Sequence, residues 1–117
     1  MLPDERVPAL LDDMLGFALE VGDFCAGVSL DLYRETTDIR RKTERSLELI
    51  GEAAKRVSAS FQASHPEIPW RRIAGLRNIL AHDYGDINDA IVWNVATNEI
   101  PSLIATLRTL VMTPPQG

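Results

Sequence analysis

The chain has 117 residues, 45% of them hydrophobic and 25% charged, with a net charge of −5. That length allows one domain with one core and excludes two, and the negative balance argues against broad, nonspecific coating of nucleic acid. No apolar run approaches the ~20 residues of a membrane span, the first residues do not read as a signal peptide, and a lone Cys25 excludes an internal disulfide. The expectation is a cytoplasmic protein, with no membrane partner, in which Cys25 is a small buried hydrophobe.

In chain order, the apolar spacing from Pro8 through Val21 predicts a first helix over about 8–24, because the period is near 3.6. Gly27–Asp31 reads as a loop. The longest helix is expected from about Asp38 to Ala63. It carries one stripe of Ile39, Thr43, Ser46, Ile50, Ala53, Val57 and Phe61, and a second of Leu47, Ala54 and Phe61 with Leu49 between them. Two stripes imply burial on two sides, against this domain and against another helix or subunit. Gly51 falls mid-helix, at a cost of ~1 kcal/mol relative to alanine, which close approach of another backbone would explain.

Pro66 and Pro69 interrupt the helical pattern, and His65 before them reads as a surface residue. Pro69 suits the first position of a third helix, Trp70 to about Asp83, stopped by Gly85. Asp86 or Asn88 can cap a fourth helix over Asp89–Val95, and Asn98 a fifth, with Pro101 in its first turn, ending near Met112. The fold class is therefore all-α: an up-down bundle of four to five helices, the fourth broken in two. A single domain is expected over 1–112, with a frayed tail over 113–117.

Positive charge is concentrated. Residues 34–77 hold ten of the twelve Lys and Arg against six acids, so the remainder of the chain carries −9. Such a centre could guide a polyanion, with Arg40, Arg41, Arg45 and Asn78 as candidate RNA-binding side chains. It could equally be a solvated helix of paired charges at i, i+3 and i+4.

The segment ends in Arg77-Asn78-Ile79-Leu80-Ala81-His82-Asp83-Tyr84-Gly85. Arginine holds phosphate in a planar fork, and histidine moves protons near neutral pH. Together they suffice for metal-free cleavage of a phosphodiester by an internal nucleophile, which means RNA. On a continuous helix Arg77 and His82 lie five residues apart, about 140° around the axis, whereas Arg77 and Tyr84 nearly superpose. One such histidine per chain is one proton-transfer group short. A two-fold dimer bringing both copies of His82 to one cleft would supply base and acid. The alternative is plain helix-end structure: His82 capping carbonyls, Arg77 pairing with Asp83 or Asp86, Tyr84 packing. His82-Asp83 does not make a recognisable metal site.

The blocks Ile50-Gly51-Glu52-Ala53-Ala54-Lys55-Arg56, His65-Pro66-Glu67-Ile68-Pro69-Trp70, Arg77 to Tyr84, Val92-Trp93 and Ile100-Pro101-Ser102-Leu103, spread over residues 38–107, resemble the HepT-like branch of the HEPN domain proteins. The resemblance implies an all-helical homodimer, the toxin of a type VII-like toxin–antitoxin pair. It implies a metal-independent, cofactor-free ribonuclease with the motif Arg-x4-His-x-Tyr, here Arg77, His82 and Tyr84. It also implies a minimal nucleotidyltransferase as antitoxin, silencing the toxin by transferring AMP to Tyr84. A second reading of the same resemblance is a non-catalytic helical dimer that binds the nucleotidyltransferase and nucleotides.

Overall fold

The computed structural model describes residues 3–80 and 88–112, and every regular element among the described residues is a helix, with no strand. A 3-10 turn over Pro3–Arg6 leads into α1 (Val7–Cys25), followed by α2 (Leu30–Glu35), α3 (Thr37–Arg56), α4 (Ala59–Ser64), α5 (Trp70–Leu80), α6 (Asp89–Asn94), a π-helical turn (Val95–Glu99) and α7 (Ile100–Met112). The all-α architecture expected from the sequence is present. His82, Tyr84, the expected end of the third helix near Asp83 with its Gly85 stop, and the Asp86 cap candidate lie outside the described residues, as does the tail from 113.

The helices α1 and α3 form the centre of the bundle, antiparallel to each other. Cys25 Sγ is 3.7 Å from Thr43 Oγ1, and one helical turn or so further along Ser46 Oγ donates to Glu20 Oε2 at 3.4 Å. Burial pushes the Cys25 thiol up, partly offset by the Thr43 hydrogen bond, so Cys25 is the inert buried hydrophobe expected of it. Helix α7 packs on the other side of α1, and α5 on the other side of α3.

Thr43, Ser46, Ile50 and Ala53 are buried toward α1, while Leu47, Gly51 and Ala54 are buried toward α5. Leu47 and Ala54 of the second stripe are thus covered within one chain, whereas Leu49 and Phe61 are half-buried. Gly51 does mark the close approach: a Cβ built there would meet the Ile73 carbonyl oxygen at 3.0 Å and the Arg77 nitrogen at 3.8 Å.

Four expectations need correction. The long helix ends at Arg56, not Ala63: Val57 is extended (φ −68°, ψ 135°) and the Ser58 hydroxyl caps α4 by accepting from the Phe61 nitrogen. Gln62 Nε2 donates to the Ala54 and Val57 carbonyls at 3.3 and 3.0 Å, satisfying acceptors that the break exposes. Val57 and Phe61 keep the helical spacing across it, which is why periodicity hid the joint. Second, α2 begins already at Leu30, capped by Ser29, so the loop is shorter than Gly27–Asp31; Gly27 takes φ +70° there.

Third, Asn98 caps nothing. Asn88 caps α6 through its side chain, accepting from Ala90 and Ile91 nitrogens, and the helix then continues into α7 through the π turn. The Ile100 nitrogen bonds the Val95 carbonyl, five residues back. Pro101 lacks a donor and its ring clashes with the carbonyl four residues before it, so the wider π turn accommodates a proline that would otherwise break the helix. Fourth, His65 is half-buried, stacked on Phe61 at 4.3 Å, with Glu67 at 3.0 Å from its Nδ1.

Candidate nucleic-acid interface

Arg77 is exposed on the last turn of α5. Its place is set by the Gly51 crossing, where the missing side chain lets the α5 backbone lie directly on α3. Its guanidinium joins a groove of about 510 Å³ floored by Leu10, Phe17, Leu49 and Ala53 and edged by Lys55, Arg56, Asp13 and Glu52. Three cations against two carboxylates at one groove favour a phosphate, and an arginine beside an apolar floor can present two aligned donors to it.

The other sequence-chosen residues are dispersed. Asn78 is exposed next to Arg77. Arg40 is engaged, donating to the Arg34 carbonyl and, at 3.3 Å, to Thr37 Oγ1 at the α2–α3 joint. Arg45 pairs with Glu48 on its own helix. Arg41 is exposed. These three lie on the N-terminal half of α3, about 9 to 16 Å of helix before Gly51. Because α5 runs antiparallel to α3, this is the half of α3 toward which its Leu80 end points. The angular relation of Arg77 to His82 and Tyr84 falls outside the described residues.

Sequence reasoning missed the cations that share the Arg77 groove, Lys55 and Arg56, and those of the groove beside it, Arg71 and Arg72. Lys55-Arg56 ends α3 and Arg71-Arg72 begins α5. Because α3 and α5 pair antiparallel, the end of one faces the start of the other, and Lys55, Arg71 and Arg72 line one groove. Arg72 is held by Glu99 of the π turn in a two-bonded fork, both distances 2.9 Å, and that hydrogen bond holds the Glu99 carboxyl below the usual range.

Beyond the motif, α6 leans on α2 through Tyr33 and Trp93, rings 5.2 Å apart. The Tyr33 hydroxyl is fully buried and has no hydrogen-bond partner among the described residues. Burial, reinforced by the Asp89 carboxylate, raises the nearby Glu44 carboxyl.

The bundle is an all-α, HEPN-like domain, and the comparisons with known proteins agree. The family model described as "Ribonuclease HepT-like" matches residues 14–110, a span that includes Lys55, Arg71 and Arg77. The chain is 32% identical over 110 residues to "Putative RNase MJ0127" of Methanocaldococcus jannaschii, covering 94% of this chain and 91% of that protein. It is 33% identical over 97 residues to "Putative RNase MJ1380" of the same organism, covering 83% and 89%. Over 59 residues it is 44% identical to "Probable ribonuclease HepT" of Thermococcus cleftensis, covering 50% and 54%. No solved structure matches the chain. The chain belongs to the HepT-like ribonuclease family.

Proposed function

We propose that this chain is the RNA endonuclease toxin of a type VII-like toxin–antitoxin pair, active as a homodimer, with Arg77 and His82 as its catalytic groups. The observation that carries the reading is Arg77 in a cationic groove of a HepT-like ribonuclease fold, five residues before the histidine of the same motif. In the proposed reaction one His82 takes the proton of a 2′-hydroxyl and the 2′-oxygen bonds to phosphorus. The bond from phosphorus to the 5′-oxygen then breaks, and the second protomer's imidazolium protonates the departing oxygen. Arg77 offsets the charge that develops on the equatorial oxygens. The products are a 2′,3′-cyclic phosphate and a 5′-hydroxyl, and no metal is required.

Regulation follows the same chemistry. A partner nucleotidyltransferase moves AMP from ATP to Tyr84: the phenol oxygen bonds to the α-phosphorus and pyrophosphate leaves. The added phosphate and adenosine then occupy the space that RNA needs.

Purified protein in excess EDTA is expected to cut single-stranded RNA and leave cyclic phosphate ends. Cleavage abolished by EDTA, or 3′-hydroxyl products, would overturn the mechanism. Sedimentation at the cleaving concentration is expected to show a dimer, and an active monomer would exclude the shared cleft. Intact mass after incubation with the transferase and ATP is expected to rise by whole AMP units in the wild type and to stay unchanged in Tyr84→Phe.

A further inference from the structure

A second, larger groove of about 1050 Å³ runs between the end of α3, α4 and the first turns of α5. Its walls carry Lys55, Arg71 and Arg72, and no acidic side chain among the described residues lines it. Arg72 is already held by Glu99, whereas Lys55 and Arg71 are exposed and have no ion-pair partner among the described residues. The chain as a whole is acidic, so this groove is not a sample of a generally basic surface. Its volume is at the top of the ~300–1,000 Å³ range of small-molecule pockets, room for more than a single base.

The floor suits nucleotides. Ala59, Ala63, Pro66, Pro69 and Ala74 are small or flat, so a base can lie against them. Gln62, also in the lining, commits its nitrogen to two carbonyls and keeps its oxygen as an acceptor for a base amino group or a ribose hydroxyl. Lys55 lines both this groove and the one that holds Arg77, so one continuous strand can pass from Arg77 over Lys55 to Arg71.

We infer that the α3–α4–α5 groove is a single-stranded RNA subsite, in which Lys55 and Arg71 hold successive phosphates to one side of the one beside Arg77. The inference rests on the ribonuclease reading for the identity of its ligand, and an acidic protein segment is the competing occupant. Continuity with the Arg77 groove favours RNA, because one phosphate backbone can run past Arg77, Lys55 and Arg71.

The test is fluorescence anisotropy of full-length protein with a labelled 12-nucleotide RNA 2′-O-methylated at every position, so that binding is read whether or not the protein cleaves. The Lys55→Ala/Arg71→Ala double variant replaces two exposed side chains, and circular dichroism checks its fold. Its affinity is expected to fall about tenfold or more. The slope of log K against log salt should become shallower by about 1.4, because two fewer phosphates of a single strand are neutralised. A Lys42→Ala control, whose lysine pairs with Asp38 near the far end of α3, is expected to match the wild type. On a cleavable substrate Arg71→Ala alone, outside the Arg77 groove, is expected to raise KM for a 12-mer while leaving kcat, and to leave both unchanged for a dinucleotide too short to reach Arg71. Unchanged affinity and salt slope in the double variant would overturn the subsite, as would a polyglutamate of equal length displacing the RNA equally well. Wild-type protein that binds the oligonucleotide through these residues yet cuts no RNA would instead defeat the ribonuclease reading and leave the subsite standing.

Discussion

Two glycines in this chain, both inside helices, should respond to the same substitution with opposite signs. Replacing a mid-helix glycine by alanine removes backbone entropy from the unfolded chain and gains ~1 kcal/mol when nothing opposes it. At Gly75 of α5 an added Cβ would have nothing within 4 Å, whereas at Gly51 that carbon would be 3.0 Å from the Ile73 carbonyl oxygen and 3.9 Å from that of Ala74. Those obstacles are backbone atoms of a packed helix, which cannot rotate aside, so α5 must shift by a few tenths of an ångström. Overpacking of this kind costs about 1–3 kcal/mol. The Gly51→Ala balance is therefore a loss of up to ~2 kcal/mol, against a gain of about 0.5–1 kcal/mol for Gly75→Ala. Urea unfolding, with slopes of ~1–3 kcal/mol per molar, separates the two by midpoints that move in opposite directions at unchanged slope. The shift also moves the stretch of α5 that carries Arg77, so RNA cleavage by Gly51→Ala is expected to fall while Gly75→Ala cleaves normally. Equal stabilisation by both substitutions would refute the claim that Gly51 is there for helix contact.

Burial and Asp89 keep a proton on Glu44 to higher pH in the folded than in the unfolded chain, so stability falls as pH rises above ~4.3 through the folded value. Glu44→Gln is expected to raise Tm at pH 7 within about 1 kcal/mol, or roughly 4–6 °C, and to change nothing at pH 3. Glu99 behaves oppositely: its carboxyl is held low by Arg72, so its contribution is present above ~4.3 and lost as pH falls through the folded value. Glu99→Gln should cost about 0.3–1 kcal/mol at pH 7, the scale of an exposed pair, and nothing in acid below both values; thermal melts across pH read both effects. Asn88→Ala removes the cap of α6 and is expected to cost ~1 kcal/mol, seen as faster amide exchange at Ala90 and Ile91.

Much of the framework is written in local pattern. The two stripes of α3, the Gly51 contact, the start of α5 at Trp70 and the Asn88 cap all follow from spacing and residue chemistry, and the structure contains each of them. What periodicity could not reveal was the joint at Val57-Ser58, where a serine cap is overlaid on apolar spacing that continues across it. Nor could it reveal that Asn98 lies within a π turn, because a cap-type residue and a following proline give the same signal as a helix start. The second stripe was ambiguous for a physical reason: apolar spacing states that a face is covered, not by which chain. The site was legible in part. Arg77 stood out through its motif, whereas Lys55 comes beside both Arg77 and Arg71 only when α3 and α5 pair antiparallel, a tertiary fact that a local window does not contain.

The decisive measurement is single-turnover cleavage of an end-labelled RNA by wild type, Arg77→Lys, Arg77→Ala and His82→Ala at matched folded concentrations. His82→Ala and Arg77→Ala are expected to lose cleavage by about 100-fold or more, the scale of a proton-transfer group or an oxyanion donor. Arg77→Lys should recover only part of it, because a lysine keeps the charge without the two-donor fork. Wild-type rates in His82→Ala or Arg77→Ala would place the chemistry elsewhere and contradict the assignment of these two residues.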